Sequence, residues 1–143
     1  MMKMQHHLVA IERRYIQAIH GSLDASLLSR RFQPRPHNPL YGHCYVASET
    51  LYHLLGGKMS PYVPFRARDR NGVVHWWLGN GGRIIDPTAS QYFLEDAQPP
   101  YQTGKHCSFL TREPSKRARI LMIRVMSYLR IMKSRKKKRV TNA

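Results

Sequence analysis

Two turns marked by glycine restrict the fold of this chain more than any other feature. Asn71-Gly72 separates one apolar run, over 62–68, from the next. Gly79-Asn80-Gly81-Gly82 then separates that second run, over 73–78, from a third over 83–86. Short turns of this composition join antiparallel strands. The block therefore predicts a small antiparallel sheet.

Helical patterns lie on both sides of this predicted sheet. Apolar residues recur at helical spacing over 5–19, and a second short helix is predicted over 22–28. Three prolines within 34–39 force an extended loop. A third helix is predicted from Cys44 to the glycine pair after Leu55, and a last one from Ser115. Helices flanking an antiparallel sheet indicate the α+β class.

Length and composition predict a single domain. The chain has 143 residues, of which 42% are hydrophobic, enough for one modest core. We expect that domain over 1–132, including a C-terminal amphipathic helix, and a basic, disordered tail over 133–143. The sequence shows no signal peptide and no apolar run of membrane-spanning length. The two cysteines form no disulfide framework, so we expect a soluble, cytoplasmic protein without cofactors.

Positive charge is concentrated near the C-terminus. The chain has 24 Lys and Arg against 8 Asp and Glu, and half of the basic residues follow Thr111. Such a segment favours nonspecific binding to nucleic acid, an anionic membrane surface or an acidic protein, and it can also serve solubility alone. The residues predicted to contact nucleic acid or another polyanion are Lys133, Arg135, Lys136, Lys137, Lys138 and Arg139.

A histidine and an aspartate face each other in the predicted hairpin. If the turn is centred between Asn80 and Gly81, His75 and Asp86 lie directly across from one another on one face of the sheet. An imidazole oriented by a carboxylate is the base that a thiol nucleophile needs. An odd-length loop would shift the register by one residue and separate the pair.

Cys44 is the candidate nucleophile, because it stands at the predicted start of a helix. The positive end of the helix dipole favours a thiolate there. The alternative is that Cys44 fills a small buried space, the usual role of a lone cysteine. The matched chemistry of His75 and Asp86 favours catalysis, although the sequence does not show that the three residues meet.

At these positions the chain resembles the YunG-like family of small bacterial and phage proteins, which is placed near the papain-like cysteine hydrolases. The similar segments are Asn38-Pro39-Leu40-Tyr41-Gly42-His43-Cys44, His75-Trp76-Trp77, and Ile85-Asp86-Pro87-Thr88 with Gln91. The resemblance implies a papain-like fold, with N-terminal helices and a nucleophile helix packed on the sheet. It also implies Cys44 as nucleophile, His75 as base and Asp86 as the orienting residue, in a protein encoded by a bacterium or phage.

The resemblance also implies an oxyanion donor near the nucleophile. Asn38 has the spacing of the amide that serves papain-like enzymes, and His43 stands where the family commonly has glutamine. Asn38, His43 and the backbone N–H of Cys44 remain alternatives. Trp76 and Trp77 point to opposite faces of their strand; we expect one in the core and one along a substrate cleft.

Two functions are compatible with these residues. The first is a thiol hydrolase or acyl transferase acting on a peptide, isopeptide or side-chain amide bond, with the basic tail as a tether. The alternative is a noncatalytic, basic nucleic-acid-binding protein on a papain-like scaffold. A zinc site is disfavoured, because its candidate ligands lack metal-binding spacing: His43, Cys44, His75, His106 and Cys107.

Overall fold

Four antiparallel strands form the sheet on which the candidate site is built. The computed structural model describes residues 9–142. Its strands are β1 (Val63–Arg68), β2 (Val74–Asn80), β3 (Arg83–Ile85) and the short β4 (Lys105–His106), in the spatial order β3-β2-β1-β4. The first three confirm the predicted strands, and β4 extends the sheet beyond β1.

Four α-helices accompany the sheet, which confirms the α+β class. They are α1 (Ala10–Ser22), α2 (Cys44–Leu54), α3 (Ser90–Phe93) and α4 (Lys116–Thr141). Helices α1, α2 and α4 pack against one another, and α2 lies on β2. The apolar face of this layer forms the core, which includes Ile16, Ala18, Ile19, Leu27, Val46, Ala47, Leu51, Leu78, Ile85, Leu121 and Val125.

The β2–β3 turn is centred one residue later than the sequence predicts. Asn80 pairs with Arg83, so Gly81 and Gly82 form the two-residue loop. Both glycines have positive φ, 56° and 85°, which fits the turn type whose twist matches antiparallel strands. Two consecutive glycines meet this requirement at less cost than Asn80 followed by Gly81.

The later turn shifts the hairpin register by two residues. Leu78 pairs with Ile85, so the prediction that His75 lies directly across from Asp86 is wrong. Side chains alternate between faces with a period of two, so a two-residue shift leaves both side chains on the same face. Asp86 follows the last residue of β3 and approaches His75 diagonally.

Two boundaries near the N-terminus also differ from expectation. The predicted first helix was 5–19; residues 5–8 lie outside the described part, and α1 continues through Gly21 to Ser22. The short second helix is a single 3-10 turn over Ala25–Leu27. Asp24 caps this turn by accepting a hydrogen bond from the Ser26 N–H.

The basic segment differs from the disordered tail that we expected. Helix α4 continues through Thr141, although every residue over 133–142 is exposed. Lysine and arginine are good helix formers, and they extend a helix that is already nucleated by buried residues nearer its start. No helix within residues 9–142 combines the length and apolar character needed to cross a membrane.

A buried carboxylate connects α1 to the sheet. Glu12 is fully buried and accepts hydrogen bonds from Arg83 Nη1 at 3.1 Å, from the Tyr62 hydroxyl at 3.0 Å and from the Val9 N–H at 3.1 Å. Burial raises the pKa of Glu12, but these hydrogen bonds outweigh it and hold the pKa below its ordinary value. The carboxylate therefore stabilises the fold in its ionised form.

Candidate active site

Cys44 is the first residue of α2 and is 6% exposed. Gly42 lies two residues before Cys44 and has a φ of 81°. A Cβ at this position would collide with Leu28 and Phe32. The loop can therefore turn sharply just before the helix only with glycine at this position. The Cys44 sulfur lies 3.7 Å from the carbonyl oxygen of Val74, at the start of β2.

His75 and Asp86 form a buried hydrogen-bonded pair. His75 Nε2 lies 2.6 Å from Asp86 Oδ2, and both side chains are almost completely removed from solvent. Asp86 also accepts hydrogen bonds from the Tyr101 hydroxyl at 2.7 Å and from the Thr88 N–H at 3.0 Å. These donors hold the carboxylate in place and satisfy its oxygens.

The imidazole also interacts with the Cys44 thiol, which is one of the groups that raise the pKa of His75. Asp86 occupies Nε2, and Gln91 Nε2 lies 3.5 Å from the other ring nitrogen, Nδ1. Burial disfavours the charged ring, but the hydrogen bonds to Asp86 and Cys44 outweigh burial and raise the pKa of His75 to about 9. The site thus favours a protonated ring next to the sulfur.

Aromatic rings fix the orientation of the imidazole. The ring of His75 stacks on Trp77 at 5.7 Å and meets Tyr92 edge-on at 4.8 Å, both between ring centroids. Trp77 in turn contacts Tyr101. This packing encloses the histidine and leaves Cys44 as the member of the three that reaches a groove.

Two surface grooves share Cys44 in their lining. The first, called here the polar groove, has a volume of about 260 Å³ and is lined by Arg35, Asp69, Arg70, Gln91, Tyr92 and Glu95, among others. The second, called the arginine groove, has a volume of about 700 Å³ and is lined by Arg31, Arg66, Arg68 and Arg117 around an apolar floor. A substrate in either groove lies beside the sulfur.

The structure places neither predicted oxyanion side chain in a groove. Asn38 is fully buried, and its amide nitrogen donates to the carbonyl oxygen of Gln91 at 2.8 Å. His43 is buried too; desolvation lowers its pKa, and its Nδ1 has no hydrogen-bond partner. The N–H groups of the first turn of α2, starting with Cys44, have no partner within the helix and point toward its N-terminal end.

The two tryptophans have different environments. Trp76 lines the arginine groove and stacks on Phe109, with ring centroids 5.2 Å apart. Trp77 lines neither groove and packs beside His75, 3% exposed. Trp76 and Trp77 thus lie on opposite faces of β2, as strand alternation requires, and of the two only Trp76 lines a groove.

The candidate zinc ligands do not assemble. Within residues 9–142, no group of three or more His, Cys, Asp or Glu side chains is arranged to hold a metal ion. Both cysteines are free thiols: Cys44 is buried and Cys107 is half-buried. The basic residues over 133–139 lie on the exposed end of α4.

Two site residues were missed or undervalued by sequence reasoning. Tyr101 lies 15 positions after Asp86 in an irregular segment, and no pattern in the sequence indicates that its hydroxyl reaches the carboxylate. Gln91 entered the sequence analysis only as part of the resemblance and without a role. Its Nε2 lies 2.8 Å from the Thr88 hydroxyl and 3.5 Å from His75 Nδ1, which places an amide next to the imidazole.

No protein-family model, curated protein or solved structure matches this chain.

Proposed function

We propose that this protein is a cysteine-dependent hydrolase or acyl transferase that acts on a peptide, isopeptide or side-chain amide bond. The observation that carries the proposal is the buried hydrogen bond between His75 and Asp86 next to Cys44, whose thiol interacts with the ring and lines both grooves. A protonated ring beside a sulfur at a helix N-terminus favours the thiolate, which is the reactive form.

The first half-reaction forms a thioester. The Cys44 thiolate attacks the carbonyl carbon of the amide, and the carbonyl oxygen becomes an oxyanion. The imidazolium of His75 then donates its Nδ1 proton to the leaving nitrogen as the carbon–nitrogen bond breaks. Asp86 keeps Nε2 as the site of the second proton, so the ring presents the correct nitrogen throughout.

The second half-reaction releases the acyl group. Water attacks the thioester in a hydrolase, and an amine attacks it in a transferase. His75 accepts the proton of the attacking group, and the thiolate leaves. The Cys44 N–H is the donor best placed for the oxyanion, because Asn38 and His43 are buried outside both grooves and the Gln91 amide nitrogen already contacts Thr88 and His75.

The proposed fold family follows from the same arrangement. A nucleophile at the start of a helix, with the base and its orienting carboxylate on an adjacent antiparallel sheet, is the arrangement that the resemblance to papain-like and YunG-like proteins implies. We therefore assign the chain to that group as part of the proposal. The sequence segments quoted above and the contacts between His75, Asp86 and Cys44 support the assignment.

The pH dependence of thiol alkylation tests the proposed ion pair. An unpaired thiol titrates near about 8.5, so its alkylation rate rises about tenfold per pH unit below that value. If Cys44 and His75 share a proton as proposed, the rate of Cys44 with iodoacetamide should rise much less steeply from about pH 6 to about pH 8, where the ring, with its pKa raised to about 9, stays protonated beside the sulfur. Mass spectrometry of the Cys107→Ser variant gives this rate.

The matched control is the Cys44→Ser variant, which leaves Cys107 as the thiol that reacts. We expect its rate to follow the steep rise of an unpaired thiol. If both cysteines show that same rise, Cys44 does not share a proton with His75, and the proposed catalysis loses its basis.

The exposed end of α4 supports a second function, binding to a polyanion. Six of the seven residues from Lys133 to Arg139 are basic. None of the six forms an ion pair with a carboxylate within residues 9–142. Unpaired cations on one helical segment bind phosphates and release counterions, without reading sequence.

Truncation after Ser134 tests this second function. The truncation removes five basic residues. The slope of log K against log salt for binding to duplex DNA should therefore become less negative by about 4.5. Fluorescence anisotropy with a labelled duplex measures both proteins. A variant with glutamine at the same five positions keeps the helix length and separates charge from truncation. Unchanged binding in both variants would place the polyanion site elsewhere.

A further inference from the structure

The cations of the arginine groove are not neutralised by the protein. Arg31, Arg66, Arg68 and Arg117 are all exposed, and among the described residues that line this groove none is acidic. No ion pair within residues 9–142 involves any of the four. Glu49 contacts Ser115, which lines the groove, but Glu49 itself is fully buried. Its two oxygens accept hydrogen bonds from the N–H and the hydroxyl of Ser115.

The polar groove differs in this respect. There Arg35 forms an ion pair with Glu95, and Asp69 accepts a hydrogen bond from the Tyr92 hydroxyl at 2.9 Å. The two basic residues that line the polar groove, Arg35 and Arg70, are matched in number by two acidic ones, Asp69 and Glu95. The excess of positive charge beside the sulfur therefore lies in the arginine groove and not in the polar groove.

The floor of the arginine groove is apolar and held in place. Trp76, Tyr45 and Phe109 form a cluster of three rings in mutual contact, and the guanidinium of Arg66 stands 5.8 Å from the Trp76 ring centre. The hydroxyl of Tyr45 accepts a hydrogen bond from the Leu110 N–H at 2.8 Å, which fixes one wall. Leu110 itself is 84% exposed, so its apolar side chain is available to a ligand.

We propose that the arginine groove selects acidic substrates, binding a peptide segment that places an apolar side chain on Trp76 and Leu110 and carboxylates on the flanking arginines. This inference rests on the proposed function, since an acyl-transfer site needs a carbonyl carbon beside the sulfur. Arginine suits carboxylates because its planar fork of donors can bind both oxygens. An acidic peptide supplies carboxylates for the arginines and a carbonyl carbon for the sulfur. A nucleic acid supplies only the negative charge.

Protection of Cys44 from alkylation tests the proposal without knowledge of the cleaved bond. The probe is the peptide acetyl-Glu-Glu-Leu-Glu-Glu-amide, added in excess to the Cys107→Ser variant before iodoacetamide. We expect the peptide to slow alkylation of Cys44 about fivefold, while analogues with glutamine or lysine in place of glutamate have little effect. About 1 M NaCl should abolish the protection, because the screening length falls to about 3 Å.

Two double variants locate the effect. Arg66→Gln with Arg117→Gln should remove the protection, measured as the ratio of rates with and without peptide. Arg14→Gln with Arg130→Gln changes the net charge equally, lies outside both grooves and should retain the protection. Equal protection by the glutamine and glutamate peptides would overturn the proposal, as would stronger protection by a short single-stranded DNA.

The baseline reaction separates this inference from the proposed function. If the rate without peptide is fast and depends on His75, but the peptides do not differ, the substrate class is wrong and the catalytic site stands. If that rate is slow and independent of His75, the proposed function fails. Preferential protection by the glutamate peptide would then still show an acidic-peptide site.

Discussion

Replacing His75 with alanine should slow alkylation of Cys44 about 100-fold at neutral pH. In the proposed mechanism the ring is the proton partner of the thiol, and a positioned base or acid contributes at least about this factor. The measurement is the second-order rate with iodoacetamide in the Cys107→Ser background. His75→Ala should also restore a steep pH dependence, because the sulfur loses its partner cation.

Two further variants make this result specific. In Asp86→Asn the imidazole keeps its packing against Trp77 but loses its anionic partner, so we expect an intermediate loss of about tenfold. His53→Ala removes a half-buried histidine from α2, the helix that begins at Cys44, and should leave the rate almost unchanged. Equal losses in His53→Ala and His75→Ala would indicate general destabilisation of the fold, contrary to a catalytic pair.

Replacing Glu12 with glutamine should lower the free energy of unfolding by about 3 kcal/mol. The change removes the charge of a fully buried carboxylate and leaves Arg83 without its partner, and breaking such a pair costs about 3–5 kcal/mol. The partial exposure of Arg83 places the expected value at the lower end. Urea denaturation at neutral pH measures it.

The pH dependence of this contribution has a defined sign. The pKa of Glu12 is lower in the folded protein than its ordinary value of 4.5. The stabilisation is therefore fully present above about pH 4.5 and is lost as the pH falls through the lowered folded pKa. The Glu12→Gln variant should lose this acid sensitivity. Glu95→Gln breaks a surface ion pair with Arg35 and should cost far less; a comparable cost would contradict the assigned role of Glu12.

The sequence predicted the elements of the site better than their register. The paired strands and the helix that begins at Cys44 follow from local patterns, and the structure confirms them. The predicted register of β2 and β3 differs from the observed one by two residues. The side chains of His75 and Asp86 are nevertheless in contact. This contact formed because a two-residue shift preserves the face of a strand, whereas a one-residue shift would have separated the two side chains.

The remaining parts of the site depend on contacts between distant segments. Tyr101 reaches Asp86 through an irregular loop, and Asn38 is occupied by the Gln91 carbonyl 53 positions away. Neither contact leaves a periodic signal in the sequence. The two grooves form where the loop before α2 meets the start of β2. The sequence therefore does not predict which charged residues line each groove.

The free end of α4 gives the protein a built-in spacer. The nine residues from Lys133 to Thr141 extend about 14 Å at the rise of an α-helix, and all of them are exposed. If this segment binds a polyanion as proposed, a continuous helix joins the domain to that surface in place of a flexible linker. The direction of the helix axis would then limit how the bound domain can be oriented.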